Sequence, residues 1–197
     1  TLAQLKTLNG LTSGNLVLDA LSAQTNYSGK ASDILAAFDG VAGYTGTLTV
    51  TGAYTVADIT ALEALTLSYV LSNKAQALTV DVADVANLVA ALATTGYKGN
   101  VTVTDATGTT AITEAHLIAL NNLTTGKITL NAASLADTAT YSETAANLVK
   151  AFDGITGLKG DVTISSGAVT IAQLKAINKA TSGAIDVTDA QALSGSA

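Results

Sequence analysis

TLAQLKTLNGLTSG (Thr1–Gly14), TVADITALEALTLS (Thr55–Ser68), TEAHLIALNNLTTG (Thr113–Gly126) and TIAQLKAINKATSG (Thr170–Gly183) are four versions of one phrase. They return about every 54 to 58 residues, too regularly for chance and too closely for four independent domains, so the chain reads as one stacked array. Residues 1–54, 55–112 and 113–169 are then full repeats and 170–197 a partial one, all within a single segment 1–197.

Aligned by column, the phrase is a helix. Thr1, Thr55, Thr113 and Thr170 stand at the N-cap, where a hydroxyl can accept from an unpaired backbone N–H. Gln4, Asp58, His116 and Gln173 come three residues later, the spacing of a capping box. Leu5/Ile59/Leu117/Leu174 and Leu8/Leu62/Leu120/Ile177 form an apolar stripe of helical period. The column of Ala3, Ala57, Ala115 and Ala172 predicts close approach to a neighbour, and Gly14, Gly126 and Gly183 suit a left-handed helix stop.

After each phrase comes a short alternating stretch: Asn15–Leu18, Ser68–Leu71, Lys127–Leu130 and Ala184–Val187. Each full repeat adds a second helix, around Ile34–Phe38, Leu88–Leu92 and Leu148–Phe152, and a second strand, Thr47–Val50, Asn100–Val103 and Asp161–Ile164. One helix separates successive strands, which is what parallel pairing requires. The expected fold is therefore α/β: a repetitive β–α solenoid, with a parallel sheet of about seven short strands on one wall and helices on the opposite wall. In plan it is similar to leucine-rich-repeat proteins, although the Asn or Cys closing that family's signature is missing.

Composition excludes several function classes. The chain has 17 Gly and no Pro, Cys, Met or Trp, and 48% hydrophobic residues can supply a core. All nine basic residues are scattered lysines against 15 acidic residues, so the net charge of −6 argues against a nucleic-acid partner. The mean hydropathy is +0.41, yet no apolar run approaches the ~18 residues of a membrane span. Without Cys there is neither a disulfide framework nor thiol catalysis, and the glycines form no phosphate-binding or dinucleotide fingerprint.

Candidate sites are few. The single histidine, His116, occupies a polar helix-start column and reads as a surface or capping residue, so no catalytic residue is assigned and the chain is expected not to be an enzyme. Asp39 and Asp153 both precede glycine at a helix C-terminus, where the helix dipole disfavours a carboxylate. They are weak candidates for calcium sites completed by loop carbonyls, with a solvated Asp-Gly turn as the plainer reading, and no other cofactor is expected. On the strands, Thr49, Thr102, Thr129 and Thr163 project outward as a partial rank, interrupted by Val17, Val70 and Asp186. That face is a candidate binding surface, although Thr is also simply a good strand former. The sequons at Asn26, Asn100 and Asn122 read as chance matches.

The Thr-led phrase, with the paired AFDGVAGYTG (Ala37–Gly46) and AFDGITGLKG (Ala151–Gly160), resembles the repeat regions of very large exported bacterial surface proteins, notably of marine cyanobacteria. The resemblance implies an extracellular, cell-surface location and a structural role in a surface layer, fibre or adhesin stalk. Such proteins are often exported by the type I route, but the calcium-binding nonapeptide repeat that would strengthen the resemblance is not in this stretch, which leaves the route open. Expected partners are flanking repeats or identical neighbours in a homo-oligomer or filament. The alternative is a binding module that holds a glycan, ice or another surface protein on its threonine-bearing face.

Overall fold

Seven helices lie where the spacing places them, a short one at Ala20–Gln24 is not expected from the sequence, and the threonine caps explain where four of them start. A computed structural model describes residues 1–106, 111–131, 140–156, 158–190 and 192–195. Its helices are α1 (Leu2–Gly10), α2 (Ala20–Gln24), α3 (Ala31–Phe38), α4 (Val56–Ala64), α5 (Val85–Leu92), α6 (Glu114–Leu123), α7 (Ala145–Phe152) and α8 (Ile171–Ala180). Thr1, Thr55, Thr113 and Thr170 each accept a backbone N–H from the third residue of α1, α4, α6 and α8, at 3.1 to 3.3 Å. The reciprocal half of the box is closed by Gln4, Asp58 and Gln173.

The strands form, but not the single sheet. They are β1 (Leu16–Val17), β2 (Tyr27–Gly29), β3 (Val41–Ala42), β4 (Leu48–Val50), β5 (Tyr69–Leu71), β6 (Leu78–Asp81), β7 (Val101–Thr104), β8 (Ile128–Leu130), β9 (Tyr141–Glu143), β10 (Ile155–Thr156), β11 (Val162–Ile164), β12 (Ala168–Thr170), β13 (Ile185–Asp186) and β14 (Ala192–Ser194). They divide among five small parallel sheets, in the orders β1-β3, β2-β4-β5, β10-β8-β7-β6, β13-β11-β9 and β12-β14. This overturns the expected solenoid with one seven-stranded wall: the chain is a mixed α/β protein of separate short sheets. The reason lies in β2, β6 and β9. These strands precede the second helix of each repeat and pair with β4, β7 and β11, so edges that a continuous sheet would need are already taken.

The described residues form two units, Thr1–Gln76 with Ala90–Tyr97, and Ala77–Val89 with Lys98–Ala197. In the first, α1 packs on α3 and α3 on α4, over a core that includes Ile34, Phe38, Leu48, Val50, Ile59 and Leu62. In the second, α6 packs on α7 and α7 on α8, over Val101, Val103, Leu117, Leu120, Leu148 and Ile177. Close approach falls on the alanines of the second helices: Ala31, Ala37, Ala145 and Ala151 are buried. Ala3, Ala57, Ala115 and Ala172 are instead exposed, where Ala serves as a good helix former rather than a contact.

Polar clasps lock successive turns of chain together. Thr124 and Thr181, both buried, donate their hydroxyls to the carbonyls of Gly99 and Gly160 at 2.7 and 2.8 Å. The same oxygens accept the N–H of Gly126 and Gly183. A Cβ at either glycine would fall on the carbonyl of Gly99 or Gly160, so these positions need glycine for space. The left-handed helix stops lie elsewhere, at Gly40, Gly96 and Gly154 with φ of 68°, 67° and 67°. One residue past the carbonyl, Asn100 and Asp161 accept the N–H of Lys127 and Ala184, and Asn26 does the same for Thr47.

Tyrosine pins are a feature of the first unit. Tyr44, Tyr54, Tyr69 and Tyr97 donate to the carbonyls of Thr25, Asn73, Ala91 and Gln76, each about twenty residues away in sequence. Burial pushes the phenols of Tyr54 and Tyr69 up to about 12.

Candidate functional site

The threonine surface is rearranged by the sheet topology. Thr49, Thr102, Thr129 and Thr163 are all half-buried, but they belong to three sheets and make no common rank. Thr49 stands in register with Ser28 and Val70, and Thr163 with Ser142 and Asp186. Thr102 and Thr129 are direct partners, and the row continues to Thr79 on β6 and Thr156 on β10. One sheet therefore carries four threonines in consecutive register, about 4.8 Å apart from strand to strand. Neither Thr79 nor Thr156 stands among the sequence candidates, because register depends on long-range pairing that no local pattern reveals.

Asp39 and Asp153 occupy the C-caps of α3 and α7, exposed, each just before a left-handed glycine. What neutralises the helix end is an asparagine from the first helix of the same repeat. Asn9 Nδ2 donates to the carbonyls of Ala36 and Asp39 at 3.0 and 2.9 Å, and Asn121 Nδ2 to those of Lys150 and Ala151 at the same distances. Such last-turn carbonyls have no partner within the helix. The signal for these ties is present in the phrase, as the Asn9, Asn121 and Asn178 column that Glu63 interrupts. Among the described residues, no group of three or more His, Asp or Glu side chains is placed to hold a metal ion.

His116 is not a simple surface residue. Its backbone N–H completes the cap of α6, while its Nδ1 is buried with no hydrogen-bond partner among the described residues. The hydroxyl of Tyr141, fully buried against Phe152 at 5.2 Å between ring centroids, also lacks one. Burial first, then the negative charge of Glu114, hold this phenol well above its ordinary range. Glu114 itself accepts the N–H of Ser142 at 2.5 Å.

The most distinctive surfaces are apolar. In the first unit, Leu8, Leu11, Val17 and Leu21 are exposed by 56, 80, 82 and 80%. Beside them an open groove of about 620 Å³ is lined by Leu5, Leu8, Leu18 and Tyr27 with Thr1 and Gln4. In the second unit, a groove of about 340 Å³ is lined by Ile171, Leu174, Ile185 and Val187 with Lys175 and Asn178. Both belong to Thr-led repeats, whose sequence reads only as core stripe and strand. No helix among the described residues is long and apolar enough to cross a membrane. No family model, no curated protein and no solved structure matches the chain.

Proposed function

We propose that this chain is a non-enzymatic structural repeat segment of an extracellular bacterial surface protein, a part of a surface layer, fibre or adhesin stalk, and that it works by associating with copies of itself or with like repeats. The extracellular setting rests on the resemblance of its repeats; the mode of action rests on one comparison within the molecule. Leu8 is 56% exposed, whereas the residues of the same column, Leu62, Leu120 and Ile177, are 1, 0 and 0% exposed. A position that is core in three repeats is open in the fourth. Covering one leucine side chain stabilises by about 1.5–3 kcal/mol, and several lie together here. Sedimentation velocity over a concentration series tests the proposal. Growth of larger species with concentration is the expected result, and a single monomer at every concentration overturns it.

The row of Thr79, Thr102 and Thr129 supports a second reading, a binding module for a glycan, ice or another surface protein. A monomeric chain that inhibits ice recrystallisation or is retained on immobilised polysaccharide, and loses this on Thr102→Lys, would favour it over self-association.

A further inference from the structure

We infer that the corner where α4 and α5 end is a binding site for an uncharged sugar unit, held by Glu63 and by the hydroxyls of Thr66, Ser68 and Thr94 beside the ring of Tyr69. The inference stands apart from self-association, since it uses neither apolar groove. With Leu67, these residues line a pocket of about 400 Å³ that lies within the first unit.

In this corner the second repeat departs from its neighbours. The asparagine that ties the end of the second helix, Asn9 or Asn121, is here Glu63, whose carboxylate can only accept. Tyr69 takes over the tie: its hydroxyl donates to the carbonyl of Ala91 at 2.7 Å, as Asn121 donates to that of Ala151. Position 63 is thereby released from the fold, yet it carries a charge in the last turn of α4, where the helix dipole disfavours a carboxylate. The Glu63 side chain makes no hydrogen bond or ion pair among the described residues.

The turns are rebuilt as well. Ser68 gives its carbonyl to Leu48 as Lys127 gives its own to Val101, but it follows Thr66 by two residues where Lys127 follows Thr124 by three. The shortened turn holds Thr66 at φ 56°, the one left-handed residue other than glycine among the described residues. A β-branched side chain is strained there, and glycine is the ordinary choice. In place of the buried clasp of Thr124, the Thr66 hydroxyl donates to the carbonyl of Leu65 and stays exposed, with its oxygen free to accept. Ser68 replaces the glycine that ends the other phrases, and the stretch from α5 to its left-handed glycine is two residues longer than after α3 or α7, which brings in Thr94.

The lining thus offers one charged acceptor, hydroxyls that can donate and accept, and a half-buried aromatic ring. That set suits a sugar, whose hydroxyls donate to a carboxylate and exchange hydrogen bonds with other hydroxyls. No cationic side chain lines the pocket, so a uronic acid would meet Glu63 unbalanced. Calcium, which takes ~6–8 oxygen ligands, would find a single carboxylate and no group of three acidic side chains among the described residues.

Proton–nitrogen spectra of the labelled chain, titrated with glucose, galactose, mannose and N-acetylglucosamine and separately with glucuronate and calcium chloride, test the site. At least one neutral sugar should shift the amides of Ser68, Tyr69 and Thr94, and glucuronate should not. Glu63→Gln should keep its melting temperature and bind at least about tenfold more weakly, the loss expected of a hydrogen bond to a charged group. Thr66→Gly should melt higher, by relieving the strain, and also bind more weakly. No shift at these amides with any of the four sugars, the same shifts with calcium chloride alone, or undiminished binding by Glu63→Gln overturns the inference. Sugar binding that is lost in Thr102→Lys and kept in Glu63→Gln overturns it too and moves the sugar to the threonine row.

Discussion

Thr124 and Thr181 show how much rests on single hydroxyls. Each donates to a buried glycine carbonyl and accepts the N–H of the glycine two residues on, so Thr124→Val removes two bonds with almost no change of shape. Leaving such groups unpaired costs about 1–3 kcal/mol, which chemical denaturation should report as a lower midpoint with an unchanged slope. Gly126→Ala should be at least as damaging, since the added methyl meets backbone rather than a mobile side chain. The tyrosine pins predict a pH dependence. An unfolded phenol ionises near pH 10, whereas Tyr54 and Tyr69 in the fold ionise at about 12. Because the folded value is raised, the stability these groups contribute is whole below about pH 10 and is lost as pH rises through about 12. Melting temperature should fall over that range, and Tyr54→Phe should shrink the fall while lowering stability at neutral pH by leaving the Asn73 carbonyl without its donor. Asp19, Asp33, Glu143 and Asp186 act in the opposite sense, their carboxyls held low chiefly by hydrogen bonds. What they contribute is present above the ordinary carboxylate range and lost as pH falls through their lowered values. None of the four is buried, so the acid side should be the gentler one.

The elements themselves are largely legible in the sequence. A threonine cap followed by a stripe of helical period locates α1, α4, α6 and α8, and short alternations locate β1, β4, β5, β7, β8, β11 and β13. What escapes is β2, β3, β6, β9, β10, β12 and β14, and with them the division into five sheets; β2 and β9, as Tyr27-Ser28-Gly29 and Tyr141-Ser142-Glu143, carry no alternation of apolar residues. Strand pairing joins residues more than twenty positions apart, so a local pattern can place a strand without naming its neighbour. The same limit hides the Thr79–Thr156 row, and it hides the openness of Leu8, since an apolar column looks alike whether or not something covers it. The asparagine ties are within reach, because the Asn9 and Asn121 column is plain to see. Asn121→Ala should cost about 1–2 kcal/mol by stranding two carbonyls at the end of α7, and Asn121→Asp should cost more by turning a donor into a charge at a negative helix end. Thermal melts of the two variants rank these effects.

For the molecule as a whole, the repeats share the labour unevenly. The first unit is held by tyrosine pins and by an aromatic group of Tyr27, Phe38 and Tyr44 with centroids 4.7 to 6.0 Å apart, while in the second Leu158 stands where Tyr44 and Tyr97 stand in theirs. Alkaline loss of structure should therefore begin among residues 1–76 and 90–97, which amide exchange followed by mass spectrometry at rising pH can locate. The clasps carry a further consequence, for how such a chain can change length over evolution. Each joins a threonine of one repeat to a glycine of the repeat before it, Thr124 to Gly99 and Thr181 to Gly160. Removing residues 113–169 as a block would take away Thr124 and Gly160 together and leave Gly99 and Thr181 free to join. Any cut that separates a threonine from its upstream glycine strands a buried carbonyl. Genes for such chains should accordingly grow and shrink by duplication or loss of entire repeats, with fractional insertions selected against.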